Sequence, residues 1–187
     1  MDATPQPDRQ AAVLTGDHLA EFAAGFNAAA LAQLAAALDQ QDQPHATLAC
    51  IDQLGAGAIE HCLFSVNAFR TSTMEVERLY SSNPDAYPVG GRKQKRATAW
   101  GQQVLIERRL FIGEGDAAIR AAFDDHVLMH RLGVHSIVNV PVVWRDACLG
   151  VLNFACAHEQ LNARQIAMAR LFGLIAVPAF LAAPATA

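Results

Sequence analysis

Cysteine and positive charge are both scarce in this sequence, and each shortage narrows what the protein can do. Its 187 residues include four cysteines, none of them in a CxxC pair: Cys50, Cys62, Cys148 and Cys156. In a cytosolic chain we expect such isolated thiols to be reduced and buried. Lysine and arginine total 14 against 18 aspartates and glutamates, which gives a net charge of −4. Because there is no basic excess, we predict no nucleic-acid partner.

The sequence also has little that directs a chain to a membrane. The N-terminal stretch MDATPQPDRQ contains no apolar run, so we expect no secretory signal. The apolar stretch from Leu171 to Ala187 is interrupted by Pro178 and Pro184, and it falls short of the ~20 residues that span a bilayer. We interpret this stretch as a packing helix and a tail, and we predict a cytoplasmic protein with no membrane partner.

The apolar residues that are present, 52% of the chain, are enough for the core of one domain. We expect residues 1–16 to be a disordered tail, 17–44 an N-terminal helix able to mediate dimerisation, and 45–187 the main domain. Hydrophobic spacing predicts these elements in order: helices over about 17–38 and 46–60, strands over 62–70 and 74–82, a helix over 94–107, a short strand within 108–116, a helix over 116–132, strands over 136–144 and 147–157, and a last helix capped by Asn162.

This order of elements predicts the fold class. Strands joined by hairpins form an antiparallel sheet, so we expect an α+β fold, an α/β sandwich. The helices at the two ends of the chain cover one face of the sheet. The long excursion between the second and fourth strands is left to cover the other face, and excursions of that length are usually functional. We therefore expect a pocket between the sheet and the excursion.

The segment SIVNVPVVWRDACLGVLNF, residues 136–154, resembles the closing hairpin of GAF domains. In that family a serine precedes an apolar run containing Val-Pro, and the partner strand carries Gly-Val-Leu. The stretch RRLFIGEG and the helix after it also stand where GAF domains have theirs, so the resemblance covers about residues 46–180. It implies a pocket on one sheet face that binds a small ligand. GAF domains sense cyclic nucleotides, bilins, haem, amino acids, keto acids or nitrate, and a few are enzymes.

One enzymatic branch of the family, the free methionine-R-sulfoxide reductases, is a poor match. The resemblance places Ile137 and Asn153 where those enzymes carry a pocket glutamate and aspartate. Residues 80–133 also contain no cysteine, although a sulfoxide reductase needs a thiolate nucleophile and a resolving thiol above its substrate. We therefore expect this chain to lack that activity.

Strand alternation predicts the floor of the pocket. Side chains two residues apart share a face, which groups Ser65 with Asn67 and Ile137 with Asn139. The resemblance to GAF domains implies that Ile137 and Asn153 stand at pocket positions, so Asn139 and Asn153 are both expected on the pocket face. Neutral hydrogen-bonding groups on an apolar floor suit a small polar ligand. The alternative is that each asparagine bonds to backbone at a strand end or bulge.

The stretch YSSNPDAYPVGGRK, residues 80–93, combines turn residues with a basic pair. The backbone amides of the Gly90-Gly91 pair and the side chains of the basic run Arg92, Lys93, Lys95 and Arg96 can together clamp an oxyanion. Tyr80 and Tyr87 can form walls for the body of a ligand, and Trp100 in the next helix is assigned to the same site. The alternative is a solvated basic loop.

The stretch DDHVLMHRLGVH, residues 124–135, contains the candidate catalytic residues His126, His130 and Asp125. The two histidines share a helix face and can act as a general base or chelate a divalent metal with His135 or Asp124. The alternative is an ordinary exposed helix face. The sequence contains neither HExxH nor GxSxG, so we assign no metal and no cofactor.

The sequence thus predicts a free-standing bacterial GAF-type protein with a sensory or regulatory role, which binds a small anionic metabolite and forms a homodimer. One alternative is a small enzyme on the same scaffold, acting on a carboxylate-bearing or heterocyclic metabolite by hydrolysis, isomerisation or elimination. A second alternative is a dimeric interaction module without a ligand.

Overall fold

A computed structural model of the chain describes residues 27–182. Its centre is a six-stranded antiparallel sheet with strand order β3-β2-β1-β6-β5-β4. The predicted α+β class is therefore confirmed. The strands are β1 (His61–Arg70), β2 (Glu75–Ser81), β3 (Arg92–Gln94), β4 (Phe111–Glu114), β5 (Ser136–Trp144) and β6 (Ala147–Cys156). The helices are α1 (Ala28–Leu38), α2 (His45–Ala58), α3 (Ala99–Gly101, continued by a π-helical turn Gln102–Ile106), α4 (Gly115–Ala122), α5 (His126–Arg131), α6 (Ala163–Ile175) and α7 (Val177–Ala182).

The two hairpins meet at the centre of the sheet, where β1 pairs with β6. In this register Ser65 lies opposite Asn153, and across the second hairpin Asn153 lies opposite Asn139. Gly150 is required at this junction, because a Cβ there would overlap the Asn67 carbonyl oxygen and the Phe180 ring. The glycine of the Gly-Val-Leu motif thus lets α7 lie directly on the sheet.

Helices α2, α6 and α7 cover one face and bury the main core. Phe154 stacks on Phe64 with ring centroids 4.6 Å apart, and Phe172 of α6 lies 6.0 Å from Phe154. All three side chains are fully buried. Removing this much aromatic surface from water contributes substantially to the stability of the domain.

Residues 82–91, called the covering loop below, lie over the other face together with α3, α4 and α5. A second apolar cluster forms there from Leu63, Tyr87, Ile119, Met129, Val134, Ile137 and Ala155. The sheet therefore has a helix face and a covered face, as the order of elements predicts.

The predicted helix over 116–132 is wrong, because it is two helices. Phe123 has an extended backbone (φ −129°, ψ 126°) between α4 and α5. Its ring lies edge-on to Phe111 at 5.7 Å and to Trp100 at 6.4 Å. This contact with the covered face competes with continuation of the helix, and Asp124 and Asp125 are weak helix formers.

Helices near the chain ends differ in detail from the prediction. The described part of α1 begins at Ala28, where the Asn27 side chain accepts hydrogen bonds from the amides of Ala29 and Ala30. The predicted tail over 1–16 and helix start at residue 17 lie outside the described residues.

The middle of the chain also differs from the prediction. Strand β3 was not predicted, and the helix predicted over 94–107 begins only at Ala99.

Helices α6 and α7 form an apolar stretch, Ala163–Ala182, that is long enough by length and composition to cross a membrane. Half of its most apolar window is buried within the domain. Ile166, Met168 and Phe172 contribute to the main core. This packing is that of a core helix, and the break before Pro178 agrees with the prediction from sequence.

Candidate ligand-binding site

A cavity lies between the covered face of the sheet and the elements above it. The accessible space inside it is about 70 Å³ and is partly open to solvent. Small-molecule sites are typically clefts of roughly 300–1,000 Å³ with apolar walls and a few polar groups, so this cavity is small for such a site and suits a compact ligand. Its lining has both components: Leu63, Val76, Tyr87, Trp100, Phe123, Met129, Ile137 and Ala155 on the apolar side, with Ser65, Asn67, Arg78, Gly91, Lys93, Lys95, Asp125, Asn139 and Asn153.

A chain of buried hydrogen bonds crosses the cavity floor. The Trp100 indole Nε1 donates to Asn139 Oδ1 at 2.8 Å, and Asn139 Nδ2 donates to Asn153 Oδ1 at 2.7 Å. Asn153 Nδ2 then donates to the Ser65 carbonyl oxygen at 3.1 Å and to its Oγ at 3.3 Å. These bonds satisfy polar groups in a low-dielectric interior, where an unpaired group is costly.

The network changes the role assigned to the asparagines. Asn139 and Asn153 bond to each other and to the protein, so they fix the position of Trp100 and the register of the two hairpins. The Asn67 amide, by contrast, makes no side-chain hydrogen bond within residues 27–182 and also faces the cavity. Asn67 is therefore the floor amide best placed to meet a ligand.

Strand β3 separates the two members of the basic pair. In its pairing with β2, Lys93 lies opposite Val76 and Arg92 lies opposite Glu77. Lys93 consequently lines the cavity, whereas Arg92 points away and forms an ion pair with Glu77 Oε2 at 3.0 Å. The prediction that both cations face one site is wrong, since neighbouring residues of a strand point to opposite sides.

The Asp125 side chain is held by residues of β3 and of the covering loop. Lys93 Nζ lies 2.8 Å from its Oδ2, and the Tyr87 hydroxyl also donates to this carboxylate. Burial opposes ionisation of Asp125, but the hydrogen bonds from Lys93 and Tyr87 outweigh it and hold its pKa below the ordinary aspartate value. The ionised carboxylate thus stabilises the fold at neutral pH, and this contribution is lost as the pH falls through its lowered pKa.

Arg78 holds the covering loop. Its guanidinium carbon lies 4.9 Å from the centroid of the Tyr87 ring, and Nη1 donates to the Pro88 carbonyl oxygen at 3.2 Å. The amides of Gly90 and Gly91 are not free for an anion, because they donate to the carbonyl oxygens of Arg78 and Pro88. The predicted glycine amide clamp is therefore wrong, although Gly91 lines the cavity.

Lys95, one of the four cations that the sequence offered for an oxyanion clamp, lines the same cavity. Its Nζ lies 4.8 Å from the centroid of the Trp100 ring, and it forms no ion pair with a carboxylate of the described residues. Burial and the neighbouring charge of Lys93 lower the pKa of Lys95. An anion bound here would reduce both costs, because Lys95 is a cavity charge without a direct carboxylate partner among the described residues.

Tyr80 lies on the helix face instead of in the cavity. A β-bulge shifts the register between β1 and β2, so that Asn67 pairs with Arg78 but Val66 pairs with Tyr80. One extra residue moves every later side chain to the opposite face. The Tyr80 hydroxyl therefore donates to Asp52 of α2 at 2.8 Å, and Asp52 also contacts His61 at 2.7 Å.

The predicted catalytic residues do not come together. Asp125 lines the cavity, whereas His126 and His130 line a separate surface depression with Asp116, Ile119, Arg120, Val127, Arg131 and Val134. His126 Nδ1 contacts the Phe123 carbonyl oxygen at 3.0 Å, and His130 Nε2 lies 3.7 Å from Asp116 Oδ2. Among residues 27–182 no group of three or more histidine, cysteine, aspartate or glutamate side chains is arranged to hold a metal ion.

The cysteines are expected to fall into two classes of reactivity. Burial raises the pKa of Cys148 to about 11 and that of Cys156 to about 12, whereas Cys62 is exposed and Cys50 is half-buried. The expectation that all four are buried is thus wrong for Cys62 and only partly met by Cys50. At pH 8 we expect a disulfide reagent to modify Cys62 and Cys50 first, and Cys148 and Cys156 only after unfolding. Peptide mapping after timed labelling measures this order, and early labelling of Cys148 would contradict it.

Comparison with known proteins defines the fold. No protein-family model and no curated protein matches the sequence. The GAF domain of a phosphoenolpyruvate-protein phosphotransferase from Acinetobacter aligns with a TM-score of 0.65 at 16% identity, over 89% of this chain and 94% of that one. The corresponding domain from Coxiella burnetii aligns with a TM-score of 0.66 at 14% identity, over 82% and 91%.

A substrate-bound enzyme has the same fold. The free methionine-R-sulfoxide reductase from Neisseria meningitidis, in complex with its substrate, aligns with a TM-score of 0.62 at 18% identity, over 81% of this chain and 86% of that one. The chain therefore has a GAF-like fold over most of its length, as the Val-Pro hairpin predicts. At these identities the likeness defines the fold and leaves the ligand open.

Proposed function

We propose that this chain is a sensory or regulatory domain that binds a small anionic molecule in the cavity. The observation that carries the proposal is Lys95, a cavity-facing ammonium group with no carboxylate partner among the described residues. A desolvated charge without a partner is unfavourable, and a bound anion supplies the partner.

The charge balance of the cavity supports the same ligand class. Three cations, Arg78, Lys93 and Lys95, line it together with one carboxylate, that of Asp125. The apolar walls include Trp100, whose ring is fixed by its bond to Asn139. The ligand we infer carries a carboxylate or phosphate group on a compact apolar or aromatic body. The reductase of the same fold was solved with its substrate bound, and this supports a small molecule as the ligand.

The alternatives receive less support from the geometry. A general base at His126 or His130 would lie in the surface depression, away from the cavity. A pure interaction module would not need a cavity lined by more positive than negative side chains. We retain the homodimer as part of the proposal, because leucines on α1, α6 and α7 are exposed: Leu31, Leu174 and Leu181. We also retain the cytoplasmic location.

The test is a thermal-shift and calorimetric series on one aromatic body with different charges. We expect phenyl phosphate and benzoate to raise the melting temperature, and benzyl alcohol and benzylammonium to have no effect. The Lys95→Gln variant is expected to lose about 10-fold or more in affinity for phenyl phosphate, since a hydrogen bond to a charged group contributes about 1.5–3 kcal/mol.

Arg96→Gln is the matched control, because it removes one exposed positive charge next to Lys95 in a residue whose side chain contacts Thr73. Its affinity for phenyl phosphate is expected to stay within a factor of about two, as for an exposed charge. Equal losses in the two variants would mean that only the general positive field of the surface attracts the anion. Binding of benzyl alcohol as tight as that of phenyl phosphate would overturn the anionic ligand class.

A further inference from the structure

Asp125 is the only carboxylate among the described residues that line the cavity, and it is bonded to one of the cavity's own cations. Its ion pair with Lys93 is 2.8 Å long, and the Asp125 side chain is 25% exposed while that of Lys93 is 42% exposed. In the proposed function Lys93 is a group that binds the ligand's acid. The carboxylate of Asp125 therefore occupies a position that an anionic ligand needs.

The contacts of Asp125 also connect the elements that surround the cavity mouth. Asp125 immediately precedes α5, Lys93 belongs to β3, and Tyr87 belongs to the covering loop. Tyr87 in turn lies under Arg78 of β2. One carboxylate thus joins α5 to β3 and to the covering loop, and these contacts are lost together if it moves.

The Asp125 carboxylate can leave without breaking a capping bond to the first turn of its own helix. Aspartate at this position commonly caps a helix by accepting a hydrogen bond from a backbone amide of the first turn. The Asp125 side chain makes no such bond to α5. Because the side chain is also partly exposed, water can solvate it once Lys93 is taken by another anion.

We propose that Asp125 is an internal counterion that holds Lys93 while the cavity is empty, and that the acid group of the ligand displaces it. This inference rests on the proposed function and adds how the ligand enters. Binding exchanges one anion for another at Lys93, so affinity is reduced by the competing carboxylate. Displacement also releases α5 from β3 and the covering loop, which gives binding a structural consequence at the cavity mouth.

The experiment titrates six forms of the protein with phenyl phosphate and with benzoate by calorimetry: wild type, Asp125→Asn, Asp125→Ala, Asp124→Asn, Lys93→Gln and the double variant with both Lys93→Gln and Asp125→Asn. We expect Asp125→Asn to bind phenyl phosphate about 10-fold more tightly than wild type, because no internal anion competes. Asp124→Asn removes the same charge from the adjacent, exposed position and is expected to change affinity less than about twofold.

A double-mutant cycle distinguishes competition between Asp125 and the ligand for Lys93 from a general change in the electrostatic field of the cavity. Lys93→Gln is expected to bind more weakly than wild type, and adding Asp125→Asn to it should then improve binding by less than about twofold. Asp125→Ala, which also lacks the charge, should agree with Asp125→Asn. Circular dichroism and urea unfolding verify that each variant is folded.

The outcomes distinguish the two proposals. If wild type binds phenyl phosphate and Asp125→Asn binds equally or more weakly, the counterion inference is overturned and the anion site stands. If Asp124→Asn tightens binding as much as Asp125→Asn, the effect comes from the long-range electrostatic field of the protein and not from exchange of anions at Lys93. The inference is then again overturned. If no form binds either probe while all are folded, the proposed function itself fails.

Discussion

Replacing Asn139 by leucine is expected to lower the free energy of unfolding by about 2–4 kcal/mol, although the two side chains are similar in size. Asn139 is fully buried and bonds to both Trp100 and Asn153. Leucine leaves the indole N–H and the Asn153 side-chain oxygen buried without partners, and each such group costs about 1–3 kcal/mol. Urea unfolding monitored by tryptophan fluorescence measures the loss.

The matched control is Asn67→Leu, which makes the same chemical change on the same face of the sheet. Asn67 makes no side-chain hydrogen bond with a described residue, so we expect a change below about 1 kcal/mol. A comparable loss in both variants would show that the floor asparagines stabilise the sheet by some means other than the Trp100–Asn139–Asn153 network.

Phe154→Ala is expected to have the largest effect of any single substitution considered, a loss of about 3–5 kcal/mol. The Phe154 side chain is fully buried between Phe64 and Phe172, and its truncation leaves a cavity that the stacked rings cannot fill. Domains of this size are stable by only about 5–15 kcal/mol, so the melting temperature should fall by about 10 °C. Differential scanning calorimetry provides the measurement.

Leu174→Ala is the control for hydrophobic truncation as such. Leu174 is 70% exposed on α6, so its removal in the monomer should cost less than about 0.5 kcal/mol. A larger loss that depends on protein concentration would indicate that Leu174 is covered by a second copy of the chain, as the proposed homodimer requires. A small loss in Phe154→Ala would contradict the description of the main core.

Period-two alternation predicted much of the cavity because it holds wherever a strand is regular. Counting along β1 grouped Ser65 with Asn67, and counting from the pocket positions that the GAF resemblance implies assigned Asn139 and Asn153 to the covered face. The structure brings all four to the cavity lining. Alternation does not reveal which of these amides bond to one another. That depends on the pairing of β5 with β6 and on the position of Trp100, which are properties of the assembled sheet.

The misplaced residues have specific physical causes. Tyr80 follows a bulge that no local feature of the sequence marks, since Leu79 is an ordinary strand residue. Arg92 and Lys93 belong to a three-residue strand, which is too short for alternation to be recognised from sequence. The helix break at Phe123 comes from ring contacts with residues distant in the chain, so tertiary packing overrides the local helical pattern.

The bulge in β2 has a mechanical consequence. Arg78 and Tyr80 are two residues apart, yet one holds the covering loop through Pro88 and the other holds α2 through Asp52. A regular strand would have directed both side chains to the same layer. One short stretch of backbone therefore links the covering loop to α2 on the far side of the sheet, and Tyr80 also joins this link to the aromatic core, because its ring lies 5.7 Å from that of Phe64.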